Sequence, residues 1–233
     1  MLERLTEFLV SLLSRLPNGD RGAEQLVEAL FATLEMTAIA GSIAFVLGTT
    51  FGVLLVVTKK GGILEQVFSY HLLDKVINVI RSIPFLILMI LLIPLSRAIV
   101  GTGIGTTGAI IPLVFGTTPF FARQIETAIA EIDSGLVEAS LAMGLSPIQI
   151  IFSVYLRESI PSIVRVTQIT AINLVALTTM AGAIGAGGLG DFAIRFGHQL
   201  GLSDLLWATI VVILIIVIVI QGLGNIIIRY TSR

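Results

Sequence analysis

Few residues in this 233-residue chain could carry chemistry, and their spacing argues against most of it. There is no cysteine, which excludes disulfides and thiolate metal sites. His71 and His198 lie far apart, and no cluster of His, Asp and Glu suggests a metal centre or a hydrolase. The three lysines are Lys59, Lys60 and Lys75, and none closes a GxxxxGK(S/T) phosphate loop. No carboxylate falls inside the long apolar runs, where proton- and sodium-coupled carriers usually need one. The sequence therefore predicts no catalytic residue, no metal and no cofactor held by the chain itself.

One polar-punctuated stretch stands out, GLVEASLAMGLSPIQIIFSVYLRESIP over residues 135–161. Asp133 or Ser134 can cap a first short helix, and Gly144 suits the left-handed position that closes it. Ser146 is a second N-cap, with Pro147 at the first helical position and Gln149 completing a capping box. The expectation is two short helices with a bend at Gly144–Pro147. In the second, Ile148, Ile151, Phe152 and Tyr155 fall at i, i+3, i+4 and i+7, one apolar face. That face must be covered, either by the chain's own bundle or by a partner.

The elements that position this stretch are membrane helices. The chain is 55% hydrophobic and 12% charged, with a mean hydropathy of +1.02, far from the composition of soluble domains. A crossing needs roughly 20 apolar residues. Charge-free runs of that length occur at Met36–Val57, Ala98–Ala122, Val166–Gly190 and Leu205–Ile228, and Val76–Leu95 is broken only by Arg81. The fold class read from this is all-α, a polytopic bundle of five transmembrane helices. An N-terminus outside places Lys59, Lys60, Lys75, Arg81, Arg123, Arg157, Arg165, Arg229 and Arg233 in the cytoplasm, against Arg4, Arg15, Arg21, Arg97 and Arg195 outside. The stem of Arg81 is long enough to snorkel to the headgroups. Residues 1–28 read as an amphipathic helix, broken at Pro17-Asn18-Gly19-Asp20, plus a linker; residues 29–233 form the membrane domain, with a cytoplasmic loop over about 123–165. The N-terminal helix lies on the membrane or against the bundle. A net charge of −1 gives no electrostatic case for nucleic acid.

The residues of the loop are familiar. Glu138-Ala139-Ser140, followed by Gly144, resembles the cytoplasmic signature of binding-protein-dependent ABC importer permeases. Ser140 stands where the second alanine is usual, and Arg157 replaces the usual proline, which appears later as Pro161. The strings RSIPF and GAIGAGGLGDFAIR resemble the methionine-type branch. The resemblance implies a bacterial inner-membrane permease that works as two copies above two ATPase subunits, which bind ATP and Mg, and receives a small amino acid from an extracytoplasmic binding lipoprotein. The loop would be the coupling helix, with Glu138, Ala139, Ser140, Gly144, Ser146 and Pro147 at the ATPase contact.

The resemblance also gives candidate roles to the fourth apolar run. Ala181–Gly188 is nearly free of bulk, which serves close helix packing or lines the pore against a symmetry mate. Thr178, Thr179, Met180 and Ile184 are then gate candidates. Asp191, Arg195 and His198 follow it, either as solvated loop charges or as a docking face for the binding protein. Gln168 and Asn173 read as interhelical hydrogen-bonders. Import of another small amino acid or short peptide, a stand-alone carrier or channel, and a scaffold subunit are the alternatives.

Overall fold

The computed structural model describes residues 20–231, and the amphipathic helix expected over residues 1–17 lies outside them. Every regular element among the described residues is helical. Helix α1 is Asp20–Thr58, α2 Val67–Ser82, α3 Phe85–Leu91, α4 Ile93–Val100 and α5 Gly105–Ala130. Two short helices follow, α6 Ser134–Ala142 and α7 Pro147–Ile150, the latter continued by a π-helical turn Ile151–Tyr155 and by α8 Leu156–Glu158. Then come α9 Ile160–Gly182, α10 Gly188–Phe192 with a π-helical continuation Ala193–Gln199, and α11 Ser203–Thr231.

Four helices, Glu24–Thr58 within α1, α5, α9 and α11, are long and apolar enough to cross a membrane. The expected span Val76–Leu95 is not a single helix. Pro84 has no N–H to give and drives Ile83 to an extended ψ of 123°, so α2 stops at Ser82. A second break at Leu92 separates α3 from α4, which carries Pro94 in its first turn. Arg81 is thus an exposed residue in the last turn of α2, where a cation suits the helix dipole.

Other boundaries also move. Gly101 and Gly105 take positive φ of 80° and 74°, so the helix expected from Ala98 begins at Gly105 and runs through Arg123 to Ala130. The loop expected from residue 123 therefore starts after Ala130, and Glu126 lies inside an apolar helix. The linker expected through residue 28 is helical from Asp20 onward. The fourth run ends at Gly182, not Gly190.

The described chain divides into two compact units. One holds the chain up to Ala40, Phe85–Leu113 and Asn173–Val219; the other holds Gly41–Pro84, Val114–Ile172 and the chain from Ile220. In the second unit, Val53, Val56 and Val57 of α1 pack with Phe121, Ile125 and Ile129 of α5, an i, i+4, i+8 stripe, and with Ile150, Val154 and Tyr155. Close approach of α1 and α5 needs glycine. A Cβ on Gly48 would sit 2.7 Å from Phe121, and one on Gly52 would sit 2.6 Å from Ile125. The pair is a GxxxG motif in GTTFG. Helix α2 closes on the same two helices through Ile77, packed with Leu55 and Ala122.

The same unit carries a polar tie. Arg123 on α5 donates to Asp74 and, at 3.1 Å, to Asn78 on α2, and to Glu126 at 2.6 Å one turn along its own helix. Gln168 on α9 donates to the Gln221 carbonyl of α11 at 2.8 Å, an interhelical bond of the kind read from the sequence. Gly224 is the close-contact partner of Gln168 on α11.

Candidate functional site

The bend at residues 133–150 is built by local hydrogen bonds. Asp133 caps α6, its carboxylate accepting from Gly135 N at 2.8 Å. The far end closes as a Schellman motif: Leu145 N donates to Ser140 O at 3.1 Å and Gly144 N to Leu141 O at 2.9 Å. Gly144 supplies the required φ of +79°. One residue later the capping box forms, with Ser146 N donating to Gln149 Oε1 at 2.8 Å and Gln149 N donating to Ser146 Oγ at 3.4 Å. Pro147 takes the first helical position, where its missing N–H costs nothing. The two short helices and the bend between them are as the residues predict.

The apolar face is not. Ile150, Val154 and Tyr155 are buried in the core of their unit, whereas Ile148 and Phe152 are each 67% exposed. Ile148 and Phe152 share one side at i, i+4 and Ile150 and Val154 share the other, while the π-helical turn at Ile151–Tyr155 adds a residue and brings Tyr155 to the side of Ile150, five residues back. The residues divide into an inner face and an outer one. Burial pushes the Tyr155 phenol up from its ordinary pKa.

On the outer face stand Met143 at 72% exposure, Leu136, Leu141, Ile148 and Phe152. An open groove of about 530 Å³ lies beside Phe152, lined also by Leu145, Gln149, Ser153 and Arg157. Glu138 and Ala139 are exposed, while Ser140 is buried with its hydroxyl donating to Leu136 O at 2.7 Å. The segment is pinned to the end of α5 by Ser159 Oγ donating to Ala128 O at 3.4 Å and Ser162 Oγ donating to Glu131 at 3.0 Å.

In the other unit, the glycine strip after α9 is a reversal of the chain. Gly185, Gly187 and Gly188 have positive φ of 91°, 79° and 77°. Residues Gly188–Gly190 return against the end of α9, with Gly190 against Thr179 and Gly182 against Asp191, where side chains would collide. The small residues serve this return and do not form one helical face. Thr178 is buried and bonds its hydroxyl to Val175 O; Met180 and Ile184, at 40% and 38% exposure, point out.

The turn is anchored at two points. Leu189 N donates to the Thr33 hydroxyl of α1 at 2.9 Å, and Gly105 N donates to Gly185 O at 3.1 Å. Asp191 and Arg195, at i and i+4, form an ion pair at 2.7 Å, and His198 is exposed beyond them. Sequence reasoning missed Thr33, the Gly48–Gly52 pair and the Arg123 tie. Only the glycine pair carried a readable signal, its four-residue spacing.

A model of the binding-protein-dependent transport system inner membrane component family matches residues 48–233. The chain belongs to that family. This family member is similar to the "Probable D-methionine transport system permease protein MetI" of Vibrio cholerae, 45% identical over 207 residues, covering 89% of this chain and 92% of the relative. It is similar also to the D-methionine transport system permease protein MetI of Salmonella typhimurium, 48% identical over 139 residues, covering 60% and 64%. Among solved structures, inward-facing conformations of the MetNI methionine ABC transporter match with a TM-score of 0.89 at 42% identity, over 92% of this chain and 99% of that one. As an inner membrane component with four long apolar helices, it is a multi-pass inner-membrane protein.

Proposed function

We propose that this permease imports methionine, working as two copies of the chain driven by two ABC ATPase subunits that bind ATP and Mg. The similarity to methionine permeases supports the substrate. The observation that carries the coupling role is the bent segment at residues 134–156. It leaves Met143, Ile148 and Phe152 about 70% exposed on a segment fixed to its own core by Ile150 and Val154. Apolar side chains held outward by a rigid bend are what a docking partner covers. Glu138, Ala139, Gly144, Ser146 and Pro147 shape that contact. Ser140 contributes by closing the first helix from inside.

The charges support a topology with the N-terminus outside. Lys59, Lys60, Lys75, Arg81, Arg123, Arg157, Arg165 and Arg229 all belong to the unit that carries the bend, while Arg97 and Arg195 belong to the other. The bend is then cytoplasmic and the turn at 183–188 extracytoplasmic. A binding lipoprotein delivers substrate at the side of Asp191, Arg195 and His198, and Met180 and Ile184 line the gate.

The test is uptake of labelled methionine into proteoliposomes containing the permease, its ATPase and its binding protein, with other amino acids as competitors. ATP-dependent, methionine-competed uptake is expected. Uptake without the ATPase would instead show a stand-alone carrier, and stronger competition by another amino acid would reassign the substrate. Gly144→Trp should release the ATPase on co-purification while leaving the helical bundle folded.

A further inference from the structure

A cavity of about 280 Å³ lies between the first turns of α1 and the α10 segment, and both belong to the same compact unit. From α1 it is lined by Gln25, Glu28, Ala29 and Ala32, one face at i, i+3, i+4 and i+7. From the other side come Asp191, Phe192, Arg195 and Phe196. The two aromatic rings lie 4.7 Å apart between centroids, a paired apolar wall beside charged groups.

The charges of the lining do not cancel. Arg195 directs Nε and Nη2 at the same Asp191 oxygen, at 3.0 and 2.7 Å, so this pair is neutral and leaves Nη1 of the guanidinium free to donate. Glu28 is exposed and, among the described residues, has neither an ion-pair nor a hydrogen-bond partner. The lining thus holds one uncompensated carboxylate, one guanidinium donor and one aromatic wall. Those are the three complements of a zwitterionic amino acid with an apolar side chain: a carboxylate for the ammonium, a donor for the carboxylate and an apolar surface for the rest.

We propose that this cavity is a receiving site for such an amino acid, with Glu28 taking the ammonium group, Arg195 the carboxylate, and Phe192 with Phe196 the side chain. The site rests on the import reading above and places a substrate contact on the permease itself. Its affinity is low, because Arg195 is 62% exposed and its charge is already balanced. A weak site suits a group that must pass its ligand on.

Equilibrium dialysis of labelled L-methionine against the full chain in lipid nanodiscs tests this, with N-acetyl-L-methionine, which lacks the ammonium charge, as the probe of that contact. Wild type should bind methionine and reject the acetylated form. Glu28→Gln should weaken methionine binding at least tenfold and remove the discrimination, and Arg195→Lys should weaken it less than Arg195→Ala. An unchanged thermal midpoint for Glu28→Gln shows that the fold is kept. Absence of methionine binding by the wild type, or equal binding by Glu28→Gln, overturns the site. Unchanged methionine binding with weaker capture of the binding protein would make this face a docking surface instead, and also overturns it. Either result can coexist with intact ATP-driven uptake by the wild type, whereas failed uptake strikes the import reading itself.

Discussion

The Thr33 hydroxyl accepts the backbone N–H of Leu189 at 2.9 Å, a buried bond between residues 156 apart in the chain, while donating to Ala29 O at 3.0 Å. One side chain thereby joins α1 to the turn after α9. A Cβ on Gly188 would lie 2.7 Å from the same oxygen, so the threonine at 33 leaves no room for a side chain at 188.

Thr33→Val keeps the shape and removes the acceptor. It leaves a buried N–H unsatisfied, which costs about 1–3 kcal/mol. Thermal unfolding in detergent should show the loss, and protease cutting within residues 183–190 should rise before global unfolding. An unchanged midpoint with unchanged cutting would deny the anchor.

Gly52→Leu forces α1 away from α5, because even a single carbon there meets Ile125 at 2.6 Å. Overpacking of this kind costs about 1–3 kcal/mol and often more when backbone must move. The folded yield in detergent should fall sharply. Gly222→Leu, with nothing within 4 Å of an added Cβ, is the matched control and should be tolerated.

Phe152→Asp and Ile150→Ala separate the two faces of the bent segment. Ile150 is fully buried, so truncation costs about 2–5 kcal/mol and lowers the unfolding temperature. Phe152 is exposed, so its replacement should leave that temperature within a degree or two and abolish ATPase co-purification. Equal thermal losses from both would mean that the outer face is covered by the chain itself.

Met180→Ala bears on the gate. The side chain is 40% exposed near the end of α9, and its flexibility suits a seal that opens repeatedly. The variant should raise ATPase activity in the absence of substrate or leak substrate across proteoliposomes. Wild-type coupling and transport would remove it from the gate.

What could be read from the residues was what the backbone enforces locally. The closure at Gly144 and the capping box at Ser146 and Gln149 need only a few consecutive residues, so the bend was legible. The face of the second helix was not: Ile150 and Val154 are as apolar as Ile148 and Phe152, so the pattern does not say which pair turns inward, and a 3.6-residue count cannot anticipate the π-helical turn that carries Tyr155 with them. The glycines at 185, 187 and 188 look alike in sequence whether they line a helix or reverse it, and only their positive φ decides. Pro84 did announce its break, but the surrounding apolar run masked it. The Arg123, Asp74 and Asn78 tie joins residues 45 and 49 apart, beyond any local pattern.

The elbow at Gly144 has a mechanical corollary. The first arm closes onto Gly144 and Leu145 and the second opens at Ser146 with its own capping box, so each backbone N–H from Met143 to Ser146 is held by a bond spanning at most five residues. If a partner docks on the outward-facing side chains as proposed, its displacement would reach Ile150 and Val154, and through them the ends of α1 and α5 against which they pack. A corner bonded on both sides in this way would pass such a motion on instead of absorbing it.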